Sequence, residues 1–274
     1  MYKVLALDLD GTVLNSDNRI SDQLRATIHA LAQYVQVVLV TGRHHTAAKP
    51  YYAELELRSP IICCNGTYVF DYANQAVIGH NAIAKDQARK FIHAAEANDL
   101  KLVMYVQDAM LYSRSQPVAY MDQLLRWAET VQVELRPDIR QVDSFIEELE
   151  QTENIWKFVI EGSDVSHFDQ LEFIRTHFSG ERSWLDRVDY ANQGNTKGIA
   201  LARYVDKLGY SADQVVAIGD NDNDISMLSY AGLGVAMLNA NDTVKQSAQL
   251  TTVASNDDPN VLADLLKTLF PAKS

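Results

Sequence analysis

The stretch Val4-Leu5-Ala6-Leu7-Asp8-Leu9-Asp10-Gly11-Thr12 decides how the rest of the chain is read. Four apolar residues running into two carboxylates and a glycine describe a buried strand whose acids emerge at the rim of a parallel sheet, where open α/β folds bind ligands. Side chains alternate along an extended chain, so Asp8 and Asp10 project to the same side. Gly11 allows a tight turn with N–H groups presented to an anion. Two like charges this close need a cation, and Mg²⁺, a hard ion that takes oxygen ligands and keeps several waters, suits them. An Asp-rich turn can also simply end a strand, because Asp and Gly favour turns. The rest of the chain decides between the two.

Beyond the turn, Ser21 can cap a helix whose Leu24, Ile28 and Leu31 share one face. Val37 to Val40 form a second buried strand that ends in Thr41-Gly42-Arg43, and strand-helix-strand is a βαβ unit, which makes the pairing parallel. Residues 61–64 read as a third strand, with Asn65-Gly66 turning into another at 67–70. From about residue 82 the texture shifts to aromatic-rich strands beside helices. Helices are expected to about 98, and near 118–128, 142–149 and 165–178. Strands are expected at 102–106, 110–113, 155–160, 182–185 and 188–191. This is an α+β module inserted into the first domain. The buried-strand style then returns. Lys197 opens a helix that stops at Gly209, strand 215–218 runs into Gly219-Asp220-Asn221-Asp222-Asn223-Asp224, short strands follow at 234–237 and 250–253, and a helix spans about 259–270. Residues 1–81 and 191–274 are therefore expected to form one discontinuous catalytic core domain, and 82–190 a separate module.

A chain of 274 residues accommodates two modest domains, and 47% hydrophobic with 22% charged residues is ordinary for a globular protein with a substantial core. A net charge of -12 argues against a nucleic-acid backbone or an anionic membrane surface as partner. An anionic substrate would need a local island of cations, metal or backbone N–H groups. Cys63 and Cys64 are adjacent, which suits neither an unstrained disulfide nor a CxxC metal site, so they read as reduced core residues. The chain enters a strand at once, without a secretory leader pattern, and no apolar run nears the ~20 residues of a membrane span. A cytoplasmic location is expected.

Four polar clusters fall at strand C-termini or helix starts: Asp8-x-Asp10, Thr41-Gly42-Arg43, Lys197, and Gly219-Asp220 with Asn223-Asp224. In a parallel sheet these ends open on one edge, so the clusters can share a crevice. Together they supply what phosphoryl transfer to a carboxylate needs. Asp8 can attack phosphorus, and Asp10 is placed to protonate the leaving oxygen and later take a proton from water. Asp220 completes an oxygen shell for Mg²⁺, with Asp224 in that shell or one water further out. The Thr41 hydroxyl, Gly42 N–H, Lys197 ammonium and Asn223 amide can bind the equatorial oxygens on which charge spreads. Taken alone, Lys197 is a solvated helix-start charge as readily as a site residue, and the 220–224 loop lacks EF-hand spacing.

The motifs DxDGT, TGR, a lone Lys before a helix and GDNxND resemble the haloacid dehalogenase superfamily, and the insert between the second and third resembles the α/β cap of its Cof-type members. The resemblance runs from Asp8 to the C-terminal helix. It implies a Rossmann-like parallel-sheet core with an inserted α+β cap of the C2B type that sets substrate specificity. It also implies a Mg²⁺-dependent phosphatase working through an aspartyl-phosphate. In that pattern Asp8 is nucleophile and metal ligand, Asp10 is acid/base and a ligand through its carbonyl, and Asp220 is the other protein ligand. Leu9, Thr41, Gly42, Lys197 and Asn223 contact phosphate, and Thr12 orients Asp10. The stretches Thr41 to His45, Ile62 to Tyr68, Met104 to Met110 and Trp156-Lys157-Phe158 are similar to members acting on pyridoxal phosphate.

A flat ring with an aldehyde, a hydroxyl and a ring nitrogen would suit an aromatic wall with a few polar groups. His44, Tyr105, Asp108 and Trp156 are the candidates for reading it, with His45, Met110 and Tyr112 beside them, although each aromatic is as readily core packing. His44 reads as a loop histidine rather than a base, and Lys157 could meet the aldehyde or face solvent. The expected partner is a small phosphomonoester, and the expected state is a monomer or weak homo-oligomer. A broad sugar-phosphate phosphatase acting on erythrose or hexose phosphates stays open. A phospho-Asp receiver domain, which needs only about 120 residues and no acid at position 10, is the rival from another class, and a non-catalytic binding protein would need a damaged nucleophile.

Overall fold

The computed structural model describes residues 1–162, 165–184 and 187–271, and it divides into two compact units. The first comprises 1–42, 51–79 and 196–274, and the second comprises 43–50 and 80–195. Arg43 and the histidines after it therefore belong with the inserted segment.

The first unit is built on a five-stranded parallel sheet in the order Leu250–Thr251, Leu233–Ala236, Val215–Gly219, Val4–Leu7, Gln36–Leu39. Val4–Leu7 lies between Val215–Gly219 and Gln36–Leu39, with Leu7 level with Ile218 and Leu39. All four of its residues are wholly buried, as a strand covered on both faces must be, and this explains its unbroken apolar run. The helix Asp22–Leu31 is capped as expected, Ser21 Oγ accepting from Leu24 N at 3.2 Å, and it buries Leu24, Ile28 and Leu31. The helix Lys197–Lys207 is capped by Thr196, whose Oγ1 accepts from Ile199 N at 3.1 Å, and Gly209 ends it at φ +74°.

Residues 61–63 form a strand, but not in that sheet. Ile61–Cys63 pairs antiparallel with Tyr68–Asp71 in a separate three-stranded sheet completed by Ala76–His80. It is tied to the parallel sheet by the bridge Val40–Ile62 and by Thr41 N donating to Ile62 O at 2.9 Å. Cys63 and Cys64 are fully buried thiols outside any disulfide, and burial pushes the Cys63 thiol up, so it is inert.

The second unit carries a six-stranded sheet in the order Phe178–Trp184, Arg187–Asn192, Ile155–Glu161, Lys101–Val106, Met110–Ser113, Ile139–Val142. It is antiparallel except at its last pair. Its core centres on Phe91, which stacks on Phe158 at 4.4 Å between ring centroids, meets Phe168 and Tyr190 in T-shaped contacts and lies tilted against Phe178. The expected helix at 165–178 is two, Val165–Phe168 and Glu172–His177, and Phe178 begins a strand. The expected helix at 142–149 starts at Phe145, where Ser144 caps it, and residues before it form the strand Ile139–Val142. The end of the strand expected at 182–185, Leu185, lies outside the described residues. No helix among the described residues is long and apolar enough to cross a membrane.

Candidate active site

Asp8 follows the last residue of its strand, and its N–H donates to Ile218 O at 3.0 Å, so sheet pairing fixes its backbone. The strand Val215–Gly219, its neighbour, delivers Asp220 at the same edge. Lys197, wholly buried at the start of its helix, donates to Asp8 Oδ1 and to Asp224 Oδ1, both at 2.6 Å. Asp224 Oδ2 accepts the N–H groups of Asp220 at 2.9 Å and Asn221 at 3.0 Å, which folds the loop back on itself. A carboxylate oxygen from each of Asp8, Asp220 and Asp224 lies within 4.8 Å of the others. The acids from the two ends of the chain therefore converge, as their strand positions required.

Glycines make this closeness possible. Gly11 turns the chain at φ +79°, and a Cβ there would stand 2.2 Å from Asp220 Oδ2. Gly219 has Asp224 against it, its own Cβ position lying 2.5 Å from Asp224 Cβ.

The electrostatics are unbalanced. Burial, then Asp224, Asp220 and Asp10, push the Asp8 carboxyl well above its ordinary range, while Lys197 pulls it down. Burial and Asp224 likewise raise Asp220 to about 6, against the lowering effects of Thr12 and Lys197. Lys197 is held firmly protonated by the two carboxylates beside it, despite its burial. One ammonium faces three carboxyl groups here, so ionising all three would leave two negative charges in a buried pocket, which a divalent cation would neutralise. The all-oxygen donor set and its spacing thus fit Mg²⁺, which Asp8 and Asp220 would hold. Both Asp224 oxygens already accept hydrogen bonds from Lys197 or the loop backbone.

Other expected residues take varied positions. Asp10 is exposed at the rim, outside the converging trio but within its electrostatic reach. Thr12 does not orient Asp10 in this way; its Oγ1 donates to Asp220 Oδ1 at 3.0 Å, because the Gly11 turn carries it toward the neighbouring strand. Leu9 is fully buried, which leaves its backbone as the part available to a ligand. Thr41 is buried, and Gly42 lies beside Asn223, whose Nδ2 is 3.8 Å from its Cβ position. Asn239, unforeseen, donates from Nδ2 to Gly11 O at 2.9 Å and to Asp220 Oδ2 at 3.3 Å. Its only sequence signal was a polar residue just past a short strand.

In the second unit, His44 is buried with both ring nitrogens engaged. Nε2 donates to Val106 O at 2.9 Å, which leaves Nδ1 to accept from Thr46 Oγ1 at 2.8 Å. Burial lowers His44 to about 3 and His45 to about 2, so both are neutral and neither is a working base. Tyr105 is buried and shares a hydrogen bond with Tyr120 between hydroxyls 2.9 Å apart. Lys157 does not face solvent: it is buried, paired with Asp189, with its ammonium 4.5 Å from the Tyr105 ring centre. Trp156, Met110 and Tyr112 are buried, while Asp108 is exposed and takes Arg140 at 2.9 Å.

A parallel sheet with this acid–lysine cluster at its edge is matched by a family model for haloacid dehalogenase-like hydrolases over residues 5–266, and the chain belongs to that family. Among relatives, it is 40% identical over 255 residues to the pyridoxal phosphate phosphatase YbhA of Escherichia coli, covering 90% of this chain and 92% of that one. It is 28% identical to the 5-amino-6-(5-phospho-D-ribitylamino)uracil phosphatase YitU of Bacillus subtilis, covering 97% of each. Among solved structures, a haloacid dehalogenase-like hydrolase from Bacteroides thetaiotaomicron superposes with a TM-score of 0.85 at 26% identity, over 98% of this chain and all of that one.

Proposed function

We propose that this phosphatase is a Mg²⁺-dependent phosphomonoesterase that works through an aspartyl-phosphate on Asp8 and takes pyridoxal 5'-phosphate as substrate. The observation that carries the chemistry is the convergence of Asp8, Lys197, Asp224 and Asp220 at one sheet edge. An Asp8 carboxylate oxygen attacks phosphorus, and the bond to the ester oxygen breaks as Asp10 gives that oxygen its proton. Asp10 then takes a proton from water, whose oxygen attacks the phosphoryl group. The bond to Asp8 breaks, and inorganic phosphate leaves. Lys197 orients Asp8 and opposes the upward push of burial on its carboxyl, and with Thr41, Gly42, Asn223 and the backbone at Leu9 it stabilises the phosphoryl oxygens. Mg²⁺, when bound between Asp8 and Asp220, supplies charge neutralisation that lets an anionic nucleophile approach an anionic substrate.

The substrate rests on the 40% identity to a pyridoxal phosphate phosphatase along nearly the whole chain. We assign selection of its organic half to the second unit, with His44, Tyr105 and Asp108 as candidates. Trp156, with no exposed surface, would act through packing alone. The similarity to a phosphatase of a ribityl phosphate favours one second reading, a broader phosphatase of sugar-like phosphates. Steady-state kinetics with pyridoxal, erythrose, hexose and ribityl phosphates separate the two: the highest kcat/KM is expected for pyridoxal phosphate, and a preference for the others overturns that choice. Repeated phosphate release from each enzyme molecule excludes a phospho-Asp receiver.

A further inference from the structure

Between the strand Ile61–Cys63 and its hairpin partner, the chain makes a turn that local propensity does not favour. Cys64 (φ +49°), Asn65 (φ +55°, ψ +36°) and Gly66 (φ +91°) are left-handed in succession, and the first two are buried non-glycine residues. Such backbone carries strain of about 1 kcal/mol or more per residue, and it persists where surroundings over-determine it. The turn touches three groups assigned above to phosphate. Asn65 N donates to Thr41 O at 3.1 Å. Asn65 Oδ1 accepts from Asn223 Nδ2 at 3.1 Å and stands 2.9 Å from where a Cβ on Gly42 would be. Gly66 is seated against Thr196, the residue before Lys197, where a Cβ would meet Thr196 O at 2.3 Å.

Asn223 depends on this contact. Its Oδ1 is buried and has no hydrogen-bond partner among the described residues, so the bond to Asn65 fixes the plane of its amide. One of the two Nδ2 hydrogens is taken by Asn65, which leaves the other for an anion.

We propose that Asn65 is a positioning residue for phosphate: its carboxamide oxygen orients the Asn223 amide, and its left-handed backbone locks that amide to the Thr41-Gly42 loop. This rests on the assignment of Thr41, Gly42 and Asn223 to phosphate. Asparagine is suited to the position because it tolerates the left-handed region and carries an acceptor at the right reach.

Asn65→Gly tests the proposal, since glycine keeps the backbone and removes only the amide. Steady-state kinetics with Mg²⁺, and affinity for inorganic phosphate by calorimetry, are compared for wild type, Asn65→Gly, Asn223→Ala and the double variant. Expected are a melting temperature close to wild type and an unchanged Mg²⁺ activation constant. Phosphate affinity and kcat/KM should fall by about 10- to 100-fold, and the double variant should be no worse than Asn223→Ala alone. Wild-type kcat/KM in Asn65→Gly, full additivity in the double variant, or failure of Asn65→Gly to fold would each overturn it. Asp8→Asn is run in parallel: if it retains turnover, the phosphatase mechanism fails, whereas a dead Asp8→Asn beside a silent Asn65→Gly removes this inference alone.

Discussion

Among the described residues each unit buries a lysine against acid, and the two lysines differ in how many carboxyl groups face them. Lys157 in the second unit pairs with Asp189 and lies over the face of Tyr105, so this ammonium and carboxylate cancel each other. Lys197 in the first unit meets two acids with a third within reach, so one ammonium faces three carboxyl groups. A neutral buried pair asks nothing further of its surroundings, whereas an unbalanced one is costly unless a ligand completes it. Charge balance, rather than burial or hydrogen-bond count, thus separates the structural lysine from the one in a site.

The largest effect should come from breaking the unbalanced cluster at its nucleophile. Asp8→Asn should lower kcat by on the order of 10⁴-fold or more, measured as phosphate release, with a circular dichroism spectrum like that of the wild type. Lys197→Ala should lower kcat/KM by roughly 10²–10³-fold. Lys157→Met should leave turnover of a minimal aryl phosphate within a few-fold, while costing about 1–3 kcal/mol in urea unfolding because the half-buried Asp189 loses its ammonium partner. Adding Asp189→Leu should recover most of that stability.

The next prediction sharpens the comparison through pH. A carboxyl raised in the folded state, as Asp220 is to about 6, contributes stability that is full below its unfolded value near 4 and is lost as pH rises through 6. Metal-free protein should therefore lose this contribution between about pH 4 and 7. Mg²⁺ should restore it, by about 2.7 kcal/mol at a hundredfold excess over its dissociation constant. Thermal melts with and without Mg²⁺ across that range read this as a difference that grows with pH, and Asp220→Asn should flatten it.

The smallest expected effect concerns His44. A histidine lowered to about 3 in the folded state loses stability as pH falls below its unfolded value near 6.5. His44→Asn should melt with a shallower acid slope between pH 6 and 4 than the wild type.

Much of the first unit was legible in the sequence because its strands are buried on both faces and end in punctuation. Val4–Leu7, the Thr41-Gly42 end and the Gly219-Asp220 end could be placed at one edge from parallel pairing alone. What could not be read depended on contacts distant in sequence. Thr12 and Asn239 both turn to Asp220, a choice made by how the Gly11 turn meets the neighbouring loop. The helix His45–Glu54 went unseen because Pro50 and two tyrosines hide its apolar face. Asn65-Gly66 read as an ordinary turn, since nothing local shows that Cys64 and Asn65 are left-handed. In the second unit, the strand Ile139–Val142 was hidden by its half-exposed alternation and the helix directly after it.

The measurement that bears most directly on the unbalanced cluster is an anomalous-difference map from crystals soaked with Mn²⁺ as a Mg²⁺ surrogate. A single peak at the sheet edge, with carboxylate oxygens of both Asp8 and Asp220 at about 2.0–2.2 Å, is the predicted result. A peak held by one of these acids without the other, or none at saturating Mn²⁺, would contradict the shared cation.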